Sequence, residues 1–208
     1  MTFNPSISVA NTQLSTMEQG LQTPAQKPVL LVLGDSLSAA YGMPVEKGWV
    51  TLLQKALPNF QIVNASISGE TTSGGKQRLP ALMQQHQPAV LIVELGANDA
   101  LRGQNLSATK RNLQSMVNTC LESETLCKPV LLGIRLPTNY GPAYDAFLQK
   151  IYQTIADQDE LAFHPFFIEE VALDPNLMQT DGLHPNAQAQ PIILQTVLET
   201  LKPTLSLL

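Results

Sequence analysis

The stretch Val29-Leu-Leu-Val-Leu-Gly-Asp-Ser-Leu-Ser38 begins with five consecutive apolar residues, bounded by Pro28 and Gly34. A short continuous run of this kind, rich in Val and Leu, reads as a strand buried on both faces of a parallel sheet. Gly34 stops it abruptly, and Ser36 falls just past its end, where open α/β sheets place their ligands. Glycine there lets the backbone turn sharply and leaves room for a reacting group. The same residues also describe an ordinary strand-to-loop turn in which Ser36 only caps the next segment. The rest of the chain has to decide between these readings.

The pattern of strand, loop and helix repeats down the sequence. Gly48-Trp-Val-Thr-Leu-Leu-Gln-Lys-Ala-Leu57 carries apolar residues at helical spacing and stops before Pro58. Phe60 to Ala65 reads as a second strand, and the Gly-containing segment Ser66 to Gly75 as a loop. A helix is expected over 76–86, with Pro80 as a cost or kink near its start. Ala89-Val-Leu-Ile-Val-Glu-Leu95 is the most strand-like run, ended by Gly96-Ala-Asn-Asp99. Helices are expected over 106–122, 144–158 and 186–201, with Pro191 in the early turns of the last. Strands are expected over 129–134 and, interrupted by Pro165, over 161–168, and mostly loop over 169–185. Five strands alternating with helices predict an α/β fold, a three-layer α/β/α sandwich on a five-stranded parallel sheet. The loops at 34–42, 66–75, 96–105 and 135–142 should then share one sheet edge.

A chain of 208 residues suffices for one such domain, expected over 29–208. Residues 1–28 are rich in Ser, Thr, Asn, Gln and Pro, with neither an apolar block nor a basic start, and read as a loosely ordered polar tail rather than a signal peptide. A net charge of −5 with no basic run argues against a nucleic-acid partner, and no apolar stretch approaches the roughly 18 residues of a membrane span. A monomer acting on small molecules is the expectation. Cys120 and Cys127 are the two cysteines. A structural zinc wants four ligands, so a metal site is not expected. A disulfide across this tight loop, worth ~2.5 kcal/mol, and two free thiols both remain open.

A serine nucleophile needs a base to take its proton and a group to orient that base. Of the three histidines, His164 lies in an apolar strand and His86 near a helix end, which suits structural roles. His184 differs. In Asp181-Gly-Leu-His-Pro185 a carboxylate precedes the imidazole by three residues, close enough for Asp181 to reach one ring nitrogen while the other faces outward. Asp181 is also a plausible turn residue taken alone. Acyl transfer further requires donors aimed at a developing oxyanion, and Gly69 N–H and the Asn98 carboxamide are available at other strand ends.

Gly34-Asp-Ser-Leu-Ser38, Gly69, Gly96-Ala-Asn-Asp99 and Asp181-Gly-Leu-His184, in that order, resemble the four blocks of the GDSL/SGNH hydrolase family. Further segments are similar to its thioesterase and lysophospholipase branch: Val63-Asn-Ala-Ser-Ile-Ser-Gly69, Arg78-Leu-Pro-Ala-Leu82, Ile134-Arg-Leu-Pro137, Asn139-Tyr-Gly141, Pro165-Phe-Phe167 and Ala189-Gln-Pro191. The similarity covers about residues 29–203.

The resemblance implies a flavodoxin-like SGNH hydrolase with Ser36 as nucleophile, His184 as base and then acid, and Asp181 as its orienting carboxylate. Ser36 N–H, Gly69 N–H and the Asn98 amide would form the oxyanion hole. Leu101, Arg102, Gly103 and Leu106 resemble a mobile loop over the acyl chain, and Asn139 and Tyr140 a substrate-side loop. Asp35 is expected to orient the Ser36 loop and Asp99 to fix its own. Ala97 replaces a glycine usual in this branch, which costs about 1 kcal/mol if the position needs positive φ. No cofactor is implied. The implied substrates are acyl-CoA thioesters, lysophospholipids and aryl esters, and the implied compartment is the periplasm or exterior, against a cytoplasmic alternative. A short-chain carbohydrate acetylesterase or arylesterase is the rival of the same fold. A non-catalytic acyl-binding protein is the rival of another class.

Overall fold

A computed structural model describes Met1 and residues 27–208, so the expected tail over 1–28 lies almost wholly outside the described residues. Five parallel strands, β1 (Val29–Gly34), β2 (Gln61–Asn64), β3 (Val90–Glu94), β4 (Lys128–Leu132) and β5 (Ala162–His164), form one sheet in the order β2-β1-β3-β4-β5. β1 and β3 are buried along their whole length, as their unbroken apolar runs require. The edge strands β2 and β5 are partly exposed and shorter. The strand expected over 161–168 ends at His164, because the chain turns at Pro165 to bond Phe167 N–H to Gly133 O at 3.2 Å.

The sheet is flanked by α1 (Trp49–Ala56), α2 (Thr72–His86), α4 (Leu106–Leu121), α5 (Pro142–Gln158) and α7 (Gln190–Leu205). Two short helices, α3 (Ala97–Leu101) and α6 (Glu169–Ala172), occupy stretches expected to be loop. α2 begins four residues before the expected start, with Thr71 Oγ1 capping Gly74 N–H, so Pro80 lies in its interior. Gly74 and Gly75 disguise that start. A Cβ on Gly75 would come within 2.4 Å of Leu95 Cδ1, so this glycine serves close packing of helix on sheet. α7 starts later than expected, with Pro191 in its first turn, where a missing N–H costs nothing.

The core runs along both faces of the sheet, from Leu30, Leu31 and Leu33 through Leu91 to Leu148, Tyr152 and Val197. Cys120 and Cys127 are joined in a disulfide, Cα–Cα 5.2 Å, between the end of α4 and the start of β4. That is the sheet edge opposite Ser36. Among the described residues no helix is long and apolar enough to cross a membrane.

Candidate active site

Because all five strands run the same way, the loops after β1, β2, β3 and β4 meet at one edge. The turn after β1 carries Ser36. It is packed from beneath: a Cβ on Gly34 would lie 2.7 Å from both Glu94 Oε2 and Ser38 Oγ, so only glycine fits. Trp49 Nε1–H donates to Leu37 O at 3.2 Å, and Asn64 Nδ2 donates to Ser38 O at 2.9 Å.

Asp181 and His184 arrive on the loop between α6 and α7. One Asp181 oxygen, Oδ1, accepts from the backbone N–H groups of Leu183 at 2.9 Å and His184 at 3.0 Å. The other, Oδ2, lies 2.7 Å from His184 Nδ1, and His184 Nε2 lies 2.9 Å from Ser36 Oγ. Burial would raise the Asp181 carboxyl, but the two amides and the imidazole outweigh it and hold the pKa at about 2. The carboxylate therefore stays ionised and fixes the Nδ1–H tautomer, which leaves Nε2 as an acceptor for the serine proton. Tyr41 packs against the imidazole at 4.5 Å between ring centroids, and Gln179 Nε2 donates to Tyr41 O at 2.8 Å and Pro185 O at 3.1 Å. Neither Tyr41 nor Gln179 carries a signal in the sequence.

The donors expected around an oxyanion sit on neighbouring loops. Asn98 is in α3, and its Nδ2 donates to Asp35 Oδ2 at 2.9 Å, which leaves its second amide hydrogen free. Asp35 Oδ1 in turn accepts from Leu37 N–H at 3.1 Å. Burial pushes the Asp35 pKa up to about 6, against the lowering effect of those two donors. Gly96 takes the positive φ of +121°, and a Cβ there would meet the Tyr152 hydroxyl at 2.5 Å. Ala97 is helical and buried, so the feared strain is absent and alanine fits without penalty. Asp99 anchors the far side of α3 by accepting from Thr72 N–H at 2.8 Å and from the Thr72 and Thr109 hydroxyls.

Gly69 has φ +78°, and Arg102 Nη2 donates to its carbonyl at 3.0 Å, joining the two loops. Gly103 has φ +65° with open space around it. Tyr140 Oη donates to Leu101 O at 3.3 Å, while Asn139 is exposed beside it. Leu106 is placed differently from the expected loop: it opens α4 and is buried in the core, 3% exposed. Of the two leucines expected over an acyl chain, Leu101 alone retains exposed surface.

A residue that drew no attention in the sequence lies under the whole arrangement. Glu94 ends β3, is 1% exposed, and accepts from Asp35 N–H at 3.2 Å and Ser38 Oγ–H at 2.7 Å through one oxygen. A carboxylate inside an otherwise apolar strand run was the available signal. Among the described residues no cluster of three or more His, Cys, Asp and Glu is placed to hold a metal ion.

Residues 32–191 match the GDSL-like lipase/acylhydrolase family. The chain belongs to this family. It is 46% identical over 185 residues to Esterase TesA of Pseudomonas aeruginosa, an alignment covering 87% of this chain and 91% of that one. It is 44% identical over 180 residues to thioesterase 1/protease 1/lysophospholipase L1 of Escherichia coli K12, covering 86% of each. The crystal structure of TesA superposes with a TM-score of 0.81 over 84% of this chain and 98% of that one. The flavodoxin-like α/β/α fold is thus that of the SGNH hydrolases.

Proposed function

We propose that this protein is a serine hydrolase that cleaves thioesters and carboxylic esters of fatty acyl groups, lysophospholipids among them. The observation that carries the reading is the unbroken relay from Asp181 through His184 to Ser36 at 2.7 and 2.9 Å. Ser36 Oγ attacks the acyl carbonyl while His184 Nε2 takes its proton, and Asp181 stabilises the imidazolium that forms. Negative charge collects on the former carbonyl oxygen, which Ser36 N–H, Gly69 N–H and the free hydrogen of Asn98 Nδ2 receive. His184 then protonates the departing thiolate or alkoxide. A water, deprotonated by the same nitrogen, attacks the acyl-enzyme and releases the fatty acid.

Leu101, Arg102 and Gly103, with Asn139 and Tyr140 opposite, are the segments we assign to the acyl chain. Thioester activity is supported by the Escherichia coli relative, whose name includes thioesterase and lysophospholipase. An exported, oxidising location is supported by the Cys120–Cys127 disulfide. The test is a hydrolysis panel of p-nitrophenyl esters and acyl-CoA thioesters of increasing chain length. Each methylene buried against the loops is worth ~0.8 kcal/mol, so kcat/KM should climb several-fold per step until the groove is filled. Equal rates on acetyl and octanoyl esters would instead favour a short-chain esterase.

A further inference from the structure

Two carboxyl groups lie side by side beneath the Ser36 turn. Asp35 and Glu94 are each 1% exposed, and no lysine or arginine among the described residues pairs with either. Their bonds run in sequence. Glu94 Oε2 accepts from Ser38 Oγ–H and Asp35 N–H, on the two sides of Ser36, while the Asp35 carboxylate accepts from Leu37 N–H and Asn98 Nδ2–H. One acidic side chain from the neighbouring strand therefore ties the turn that presents the nucleophile, and the residue it ties aims the amide of the oxyanion hole.

We propose that Glu94 is a positioning residue for ester hydrolysis, acting as a neutral carboxylic acid that clasps the Ser36 turn and, through Asp35, sets the Asn98 amide. The proposal rests on the hydrolase reading above. Two anions this deeply buried without a countercharge would each forfeit their hydration and repel one another, so the pair holds one proton. Each carboxyl accepts two donors, and Asp35 keeps the charge because the His184 imidazole also favours its anion. Burial, then the Asp35 charge, drives Glu94 well above the usual carboxyl range, consistent with that division. Tyr152, which also faces the cluster, is itself held protonated by burial and donates to Leu95 O at 3.0 Å. Gly34 supplies the space, since any side chain there would collide with this clasp.

The test compares wild type with Glu94→Gln, Glu94→Leu and Ser38→Ala, reading kcat and KM on a p-nitrophenyl ester and the rate at which a fluorophosphonate labels Ser36. A turn displaced by about 1 Å costs up to ~10²-fold, so Glu94→Leu should lower kcat and labelling about 30- to 100-fold with KM nearly unchanged. Ser38→Ala, losing one of the two ties, should lower them about 3- to 10-fold. Glu94→Gln, neutral and of the same shape, should stay within about threefold and keep the wild-type pH profile between about pH 6 and 9, which rescue by a merely space-filling residue would not require. Glu94→Gln falling as far as Glu94→Leu would overturn the neutral clasp. So would Glu94→Leu labelling at the wild-type rate. If Glu94→Leu does not fold, an unchanged kcat in Ser38→Ala overturns the proposal instead. Wild type that fails to label at Ser36 would sink the hydrolase reading and the proposal with it, a result distinct from any difference among the Glu94 variants.

Discussion

Ser36 and His184 meet at 2.9 Å, yet the segments that carry them are held by opposite means. The Ser36 turn is fixed from below and from far away in sequence. Asp35, Ser38 and Glu94 are nearly inaccessible, and the ties reach to Glu94, Asn64 and Asn98 on other strand ends. The His184 loop is fixed mainly within itself, by Asp181 folding back on the next residues and by Gln179 N–H bonding His184 O at 2.7 Å, with Tyr41 linking it to the Ser36 segment. Asp181 keeps 37% of its side chain exposed. One half of the site is part of the core, and the other is a turn that rests on it. In the mechanism proposed above this difference would separate rate from position: the buried half would set where the serine and amide stand, and the exposed half would carry the proton.

The largest effects should come from the groups on either side of the 2.9 Å contact. Ser36→Ala should lower kcat by about 10⁴- to 10⁶-fold with the fold intact, His184→Ala nearly as much, and the double variant little more, because they act as one unit. Additive losses in the steady-state rates would separate the two halves. Asn98→Ala should cost about 10²–10³ in kcat with KM nearly constant, since the amide meets charge that exists only in the transition state. A KM effect instead would move Asn98 into substrate binding.

Stability against pH probes the buried half through Asp35. Asp35 is lifted from 3.8 to about 6, so between about pH 4 and 6 the folded protein keeps a proton that the unfolded chain has released. The native state then binds more protons, and stability falls as pH rises through that window, on the order of 3 kcal/mol from this group. Two groups work the other way. Asp181, depressed to about 2, adds stability that is complete above about pH 4 and lost on acidification, and His164, kept low by burial, adds some as pH rises towards 6.5. Asp35→Asn removes the titration together with one of the two acceptors, a loss that does not vary with pH. Its melting temperature should rise relative to wild type between pH 4 and 6, and parallel curves would contradict a strained buried carboxyl.

Smaller effects mark regions outside the buried half. Cys127→Ser should lower stability by ~2.5 kcal/mol, or about 5–10 °C in Tm, and leave kcat unchanged, because the bridge lies at the opposite sheet edge. Gln179→Ala removes one bond to Pro185 O in the exposed loop and one to Tyr41 O, and should lower kcat about fivefold, with faster amide exchange at 181–184 as the check. A hundredfold loss would mean that the His184 loop is less self-supporting than its local bonds suggest.

The same contrast explains what the sequence disclosed. β1, β3 and β4 are buried on both sides and so read as continuous apolar runs, whereas edge strand β5 stops at His164, just before the Pro165 that interrupts the run Leu161 to Ile168. Asp181 and His184 were legible together because their interaction spans three residues. Glu94 and Tyr41 were not, nor was the bond from the Gln179 amide to Tyr41 O, because these act across 50 or more positions, and such pairings exist only after the sheet has formed. The start of α2 was hidden by Gly74 and Gly75, at the second of which packing on Leu95 outweighs helix propensity, and Leu106 looked like a loop residue although it is the buried first residue of α4.

The central claim is that Ser36 is a nucleophile activated by His184, and a fluorophosphonate tests it most directly. Intact-mass and peptide analysis should find one adduct per chain, on the peptide containing Ser36, absent from Ser36→Ala and formed at least about 10³-fold more slowly in His184→Ala. An adduct on another residue, or Ser36 labelled as fast without His184 as with it, would contradict the account.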